Sequence, residues 1–356
     1  MVVDARFWKG RKVFLTGHTG FKGGWLSLWL NQLGAHVYGY ALAPTEESIF
    51  NSASVATALS HNHLGDIRNL AALTQAMQRT EPEIVIHMAA QPLVRQSYLD
   101  PVTTYSTNVM GTVHVFEAIR KTSSVKAVLN ITTDKCYDNQ EQAAGYREDD
   151  PMGGDDPYSS SKGCAELVSS AYRKSFFSRS EIALATARAG NVIGGGDWAI
   201  DRIVPDAMRA FVHRQPLVVR NPHAVRPWQH VLEPLAGYLM LCQQLMTEPK
   251  AFSEGWNFGP NEEDAVAVKR VCELLIANWG EDASWQQDLN EHPSETHCLK
   301  LDCTKSKTRL NWKPVWPLER AFQQTVAWYK AWQHKQDMHA FTLSQIQQYQ
   351  QEHLNT

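Results

Sequence analysis

Tyr158 and Lys162 stand four residues apart in the stretch Asp156-Pro157-Tyr158-Ser159-Ser160-Ser161-Lys162. Pro157 presets φ for a first helical turn and lacks the N–H that such a turn leaves unpaired. At a spacing of i, i+4 the phenol and the ammonium share one helix face. A nearby ammonium favours the phenolate, so the pair is expected to lower the pKa of Tyr158. That makes Tyr158 a candidate base for taking a proton from a hydroxyl. A solvated helix face gives the same bare pattern, so the surrounding chain has to decide.

The elements that would position this pair begin near the N-terminus. Arg11 to Thr16 reads as a short buried strand, and Trp25 to Leu30 as a helix. Between them Gly17, Gly20 and Gly23 are spaced G-x-x-G-x-x-G, with His18 and Phe21 interleaved. Strand, glycine turn and helix in that order form a dinucleotide site, because the backbone can approach a pyrophosphate at a helix N-terminus. The second strand, Ala35 to Tyr40, runs on without an acid for ribose hydroxyls or an arginine for a 2′-phosphate. Its residues therefore leave NAD against NADP open. Asp66, beside Ile67, reads equally as meeting the adenine amino group and as capping the next helix, expected over Asn69 to Arg79, and the two do not exclude each other. Strand Glu83 to Met88 closes in Ala89, Ala90 and Gln91, small enough for a cofactor to lie along the backbone. His87 reads as a satisfied core histidine. A helix is expected over Tyr105 to Arg120, containing Asn108. Strand Val125 to Ile131 then delivers Thr133, Asp134 and Lys135 to the carboxyl edge, where open α/β sheets bind ligands.

Alternating strands and helices indicate an α/β fold: a doubly wound parallel, Rossmann-like sheet with a smaller mixed α/β C-terminal substrate domain. The first domain is expected over 1–187. The second spans 188–336, with some chain returning to the first. The glutamine-rich tail, 337–356, reads as a surface helix or a partner contact. An extended segment is expected over Thr296 to Asp302. The net charge of -3 gives no argument for nucleic acid. No run resembles a membrane span, and Met1 to Arg11 has no signal-like apolar region. Cys136, Cys164, Cys242, Cys272, Cys298 and Cys303 form no metal-like cluster, so no metal is expected, and reduced thiols fit a cytoplasmic protein.

These motifs resemble the extended branch of the short-chain dehydrogenase/reductase family. Those that carry it are Thr16-Gly17-x-x-Gly20-x-x-Gly23, His87-Met88-Ala89-Ala90-Gln91, Asn108, Tyr158-x-x-x-Lys162, Arg226-x-Trp228 and Asn257-Phe258-Gly259. Within that branch, Thr133-Asp134-Lys135 is similar to the nucleotide-sugar 4,6-dehydratases. The Asp-Lys pair before Cys136-Tyr137-Asp138-Asn139, the Asn191 to Trp198 loop and Arg226 to Val231 are similar to those acting on CDP-glucose. The resemblance implies NAD as cofactor, with Gly17, His18, Gly20, Phe21, Gly23, Asp66, Ile67, Ala89, Ala90, Gln91, Asn108, Tyr158 and Lys162 around it. It implies a CDP-sugar whose diphosphate meets Asn191, Arg226 and Asn257, and a homodimer or higher homo-oligomer built on the helices from Tyr105 and Ser159. Tyr158 would take the C4 hydroxyl proton, Lys162 would hold the nicotinamide ribose, and Thr133 would orient the substrate. Asp134 would protonate the departing C6 hydroxyl. Lys135 stands where the family commonly has a glutamate as C5 base, and serves that step only if neutral, or as a stabiliser of the enolate. Two rival readings are a nucleotide-sugar 4-epimerase, which needs no acid at Asp134, and a nucleotide-sensing protein without turnover.

Overall fold

Alternate residues of four neighbouring strands feed two different cores, and this divides the molecule into layers. In β1 (Lys12–Thr16), Val13 and Leu15 enter one cluster and Phe14 the other. β4 (Ile84–His87), β5 (Ala127–Ile131) and β6 (Ala183–Ala189) divide in the same way: Ile84, Leu129 and Ala185 on one side, Val85, Val128 and Leu184 on the other. Strands buried on both faces are those of a parallel sheet covered by helices above and below. The computed structural model describes residues 2–142, 144–280, 282–290 and 299–354. Cys298 and the first part of the extended segment expected over Thr296 to Asp302 lie outside them.

The main sheet has seven strands. With β2 (His36–Ala41), β3 (His61–Leu64) and β10 (Gly255–Phe258), its order is β10-β6-β5-β4-β1-β2-β3, and every pairing is parallel. Order reverses between β1 and β4, the switch point at which such sheets bind ligands. β10 is the segment that returns from the C-terminal half to join this sheet. The smaller sheets carry the remaining strands. β7 (Asn191–Ile193), β9 (Val225–His230) and β11 (Ala265–Ala267) form one; β8 (Leu217–Val219) and β12 (Trp285–Gln287) form the other.

Two helices depart from expectation. The one expected from Tyr105 begins at Pro101, where the Asp100 carboxylate accepts from Thr103 N–H at 2.9 Å. It widens into a π-turn over Ser106–Met110 before resuming as Gly111–Arg120. The tail forms a helix over Met338–Leu354, packed on its own chain through Met338, Thr342, Gln345, Ile346, Tyr349 and His353. Those positions recur at helical spacing and make a single buried stripe.

Candidate active site

The glycine turn is built by close approach. Gly17 has φ +80°, and a Cβ there would lie 2.7 Å from Ala89 N. A Cβ on Gly23 would lie 2.1 Å from the Gly17 carbonyl oxygen. Only residues without a side chain let the turn, the end of β4 and the helix Phe21–Gln32 meet at the switch point. Gly20 is the N-cap of that helix, and Phe21 opens it. His18 is buried: its Nε2 lies 2.7 Å from Asn62 Oδ1, and its ring fills the space a Cβ on Gly39 would occupy. Ile67 is buried against Gly111. Ala89, Ala90 and Gln91 line the end of β4, half-buried.

Asn108 ties this loop to the helix Pro157–Ser175. Its Oδ1 accepts from Gln91 N–H (2.8 Å), and its Nδ2 donates to Gln91 O (3.0 Å) and Ser161 Oγ (2.9 Å). The π-turn sets that side chain. Asp66 is not a helix cap: Asn69 caps the next helix by accepting from Ala72 N–H at 3.1 Å. The Asp66 carboxylate instead pairs with Arg68, whose Nη2 donates at 2.6 Å. A cavity of about 580 Å³ opens there, lined by Asp66, Arg68, Asn69, Leu70 and Ser106.

At the carboxyl edge, β5 and the helix Pro157–Ser175 bring the reactive side chains together. The Asp156 carboxylate caps the helix through Ser159 N–H at 2.9 Å, which fixes Tyr158 in the first turn. Tyr158 is 9% exposed, and Thr133 is among the groups that act on its phenol. Thr133 Oγ1 also donates to Asp134 Oδ1 at 2.9 Å. Asp134 Oδ2 is buried without a hydrogen-bond partner among the described residues. Burial raises the Asp134 pKa against the opposing pull of Lys135, Thr133, Arg226 and Lys22. A carboxyl in that setting is poised to give up a proton. Lys135 flanks it, half-buried.

One sequence expectation is reversed. The Tyr158 phenol is pushed up to about 12, not down, because burial outweighs the pull of Thr133 and the positive charge of Arg202. Lys162 does not hydrogen-bond the phenol; its Nζ donates to Ile131 O at 3.2 Å, and burial lowers its pKa to about 8. His87 behaves as the core histidine expected, between Thr16 Oγ1 (2.7 Å) and Thr112 Oγ1 (3.2 Å).

The expected diphosphate residues separate. Arg226 and Asn191 lie on the adjacent strands β9 and β7, and the Arg226 charge acts on Asp134. Asn257 does not reach the site. It is fully buried, accepts from Tyr137 Oη (2.7 Å) and donates to Tyr146 O (2.8 Å) and Asp302 O (3.1 Å), which uses up its amide.

Three features escaped the sequence reading. Lys22, inside the glycine motif, faces Asp134, Lys162 and Arg202, and burial with those cations lowers it to about 8. Its place between two motif glycines was the available signal. Glu166 lies one turn after Lys162 and pairs with Arg188 at 2.9 Å, both 5% exposed. Burial alone would raise its carboxyl, but Arg188 more than offsets that and holds it low. Arg202 pairs with Asp197 at 2.8 Å, and no local pattern marked it.

The family model described as GDP-mannose 4,6 dehydratase matches residues 14–325. The chain belongs to that family. It is 54% identical over 354 residues to a CDP-glucose 4,6-dehydratase of Salmonella typhimurium, covering 98% of each chain. Among solved structures, a Bacillus anthracis dTDP-glucose 4,6-dehydratase in complex with NAD superposes with a TM-score of 0.76 at 20% identity, covering 92% of this chain and 99% of that one. A Thermotoga maritima UDP-glucose 4-epimerase gives 0.79 at 20% identity, with 90% and 99% covered. These two share the fold of this chain. Among the described residues no group of three or more His, Cys, Asp or Glu side chains could hold a metal ion, and no helix is long and apolar enough to cross a membrane.

Proposed function

We propose that the protein converts CDP-glucose to CDP-4-keto-6-deoxyglucose and water, with NAD as its resident cofactor. The observation that carries this reading is the 54% identity to a CDP-glucose 4,6-dehydratase over 98% of both chains. The glycine turn fits the cofactor, since Gly17 and Gly23 let the backbone turn tightly enough to present the N-terminus of the helix Phe21–Gln32 to a pyrophosphate. The cavity at Asp66 would hold another part, and Asn108 would act by fixing the backbone of the loop at Gln91. When bound, NAD accepts the C4 hydrogen of the sugar with its electron pair and returns it at C6.

Tyr158 takes the proton of the C4 hydroxyl, and Thr133 orients that hydroxyl. Lys162 holds the nicotinamide ribose. The resulting 4-ketone acidifies C5–H. Asp134, whose burial favours the protonated form, gives its proton to the C6 hydroxyl, which leaves as water. Lys135, beside it, serves the C5 step as base or as enolate stabiliser. Arg226 and Asn191 receive the diphosphate. The chain from 188 to 336, apart from β10, forms the sugar-nucleotide half, and 1–187 the cofactor half.

The same reading includes a homodimer. The helical stretch 101–120 and the helix Pro157–Ser175 expose Val102, Met110 and Leu167, and an apolar face on paired helices suits a second copy. Light scattering should return twice the chain mass; a monomer at working concentration would remove this part. Free thiols at Cys136, Cys242, Cys272 and Cys303 fit the cytoplasm, and the product class fits deoxysugar supply for surface polysaccharide. Incubation with NAD and equal CDP-, dTDP-, UDP- and GDP-glucose tests the substrate: CDP-glucose alone should lose one water. Preference for another nucleotide would overturn the assignment.

A further inference from the structure

Two sets of side chains have to be held in register for the proposed reaction. Tyr158 and Lys162, on the helix Pro157–Ser175, serve the oxidation. Asp134 and Lys135, on the short turn Asp134–Cys136 that follows β5, serve the elimination. Helix and turn belong to separate stretches of chain, so their mutual placement has to come from contacts between them.

One carboxylate supplies those contacts. Glu166 follows Lys162 by four residues, and both side chains leave the same helix face. Glu166 Oε1 accepts from Thr132 Oγ1 at 2.5 Å and from Arg188 Nε at 2.9 Å. Its Oε2 accepts from Thr186 Oγ1 at 2.8 Å and from Arg188 Nη2 at 2.9 Å. These four donors fill the lone pairs of both oxygens. The third nitrogen of the guanidinium, Nη1, donates to Tyr137 Oη at 2.6 Å and to Glu148 O at 3.0 Å. Tyr137 Oη donates onward to Asn257 Oδ1 at 2.7 Å. Thr132 stands just before Thr133, and Tyr137 just after Cys136. The reactive turn is therefore bracketed: the residues in front of it and behind it are both tied to Glu166, the first directly and the second through Arg188. The backbone adds a further contact. Gly153 N–H donates to Cys136 O at 2.9 Å, and the Gly153 carbonyl oxygen lies only 2.7 Å from where a Cβ on Gly163 would stand.

Thr132, Tyr137, Glu166 and Arg188 are all buried. A buried ion pair is weak as a source of net stability, because apolar residues of similar volume often do as well. A bidentate carboxylate–guanidinium pair fixes direction. We propose that Glu166 is a positioning residue for the elimination step: through Thr132, and through Arg188 and Tyr137, it holds the Asp134–Lys135 turn against the helix that carries Tyr158 and Lys162. The proposal rests on the dehydratase reading for the step that each set performs. Misplacing a reacting group by about 1 Å can cost about 10²-fold in rate. Oxidation at C4 takes Tyr158 and Lys162 from the helix itself and only Thr133 from the bracketed stretch, so it should suffer less.

The experiment follows reduced cofactor and product in single turnovers with NAD and CDP-glucose, together with steady-state KM, for the parent, Tyr137→Phe, Thr132→Val and Thr132→Ser. Tyr137→Phe removes one tie and keeps the ring; Thr132→Val removes the other and keeps the shape. Each should slow elimination by about 10–10²-fold and C4 oxidation by less, so that reduced cofactor builds up, with KM for the nucleotide sugar unchanged. Thr132→Ser keeps the hydroxyl and should stay near the parent. Equal slowing of both steps, a raised KM with their ratio unmoved, unchanged rates, or a Ser variant as slow as the Val variant would overturn the proposal. If Thr132→Val does not fold, Tyr137→Phe decides by the same criteria. A parent that turns over no CDP-glucose would sink the functional reading instead, and amide hydrogen exchange then decides. Faster exchange over residues 134–138 in Tyr137→Phe, with the helix Pro157–Ser175 unmoved, supports the proposal. Exchange that is unchanged over 134–138, or that quickens equally in the helix, overturns it.

Discussion

In the proposed mechanism, Asp134 is the residue on which the choice between dehydration and epimerisation turns. Its Oδ2 is buried without a partner among the described residues, while Oδ1 is held by Thr133 at 2.9 Å. Burial raises its pKa, so it is protonated over a wider pH range than a surface carboxyl and loses its proton as pH rises through that raised value. Asp134→Asn should slow elimination by about 10²–10⁴-fold, the usual weight of a general acid, and slow C4 oxidation much less. Reduced cofactor would then build up in the absorbance trace; equal slowing of both steps would mean that Asp134 only orients Tyr158. Lys135→Ala should retain most C4 oxidation and lose deuterium exchange at C5, and unchanged exchange would end its catalytic role. Asn257→Ala should instead cost stability, about 1–3 kcal/mol from orphaning Tyr146 O and Asp302 O, with KM unchanged in the folded fraction. The placing of Thr133 and Asp134 at the end of β5, and of Tyr158 and Lys162 in the first turns of the next helix, was legible because each pattern is local to one strand end or one helical turn. The fate of Asn257 was not. Its partners lie up to 120 residues away, and nothing near Asn257 announces them.

Elements show where periodicity reads well and where it stops. The glycine turn was legible because close backbone approach leaves a one-residue signature. Gly23→Ala forces a Cβ onto the Gly17 carbonyl and should abolish cofactor binding in calorimetry while the far-ultraviolet spectrum persists. The π-turn at Ser106–Met110 was hidden: it adds one residue to a turn, which a 3.6-residue pattern absorbs without a trace, yet it aims Asn108 at Gln91 and Ser161. Glu233, on the helix Leu232–Thr247, was equally hidden. Its buried carboxyl accepts from Trp316 N–H (2.7 Å) and Tyr349 Oη (2.7 Å), and burial pushes it up to about 7. A folded-state pKa above the unfolded value near 4.5 gives stability that is complete below about 4.5 and is lost as pH rises through about 7. Glu233→Gln keeps a neutral group there. The parent's Tm should fall across that window relative to the variant's, and parallel Tm curves would contradict a raised Glu233.

At the scale of the whole molecule, the first and last thirds are one packing unit. Tyr349 of the C-terminal helix packs edge-on against Trp29 (5.7 Å between ring centroids) and Trp316 (5.2 Å), and His339 Nδ1 lies 2.9 Å from Ala53 O. Trp29 sits on the helix that follows the glycine turn. A chain ended after Gln336 should therefore lose thermal stability and cofactor affinity together; loss of neither would make the tail an appendage. Its glutamine-rich composition concealed this, since apolar contacts are carried by a few residues such as Ile346 and Tyr349. The doubly wound sheet was legible in its strand and helix alternation, and the return of β10 to its edge was expected in outline. The most direct measurement follows one atom. CDP-glucose carrying deuterium at C4 is incubated with the protein and unlabelled NAD. The mechanism requires a product lighter by one water, with the deuterium now at C6. A product of unchanged mass, with the deuterium still at C4, would contradict it and leave epimerisation in its place.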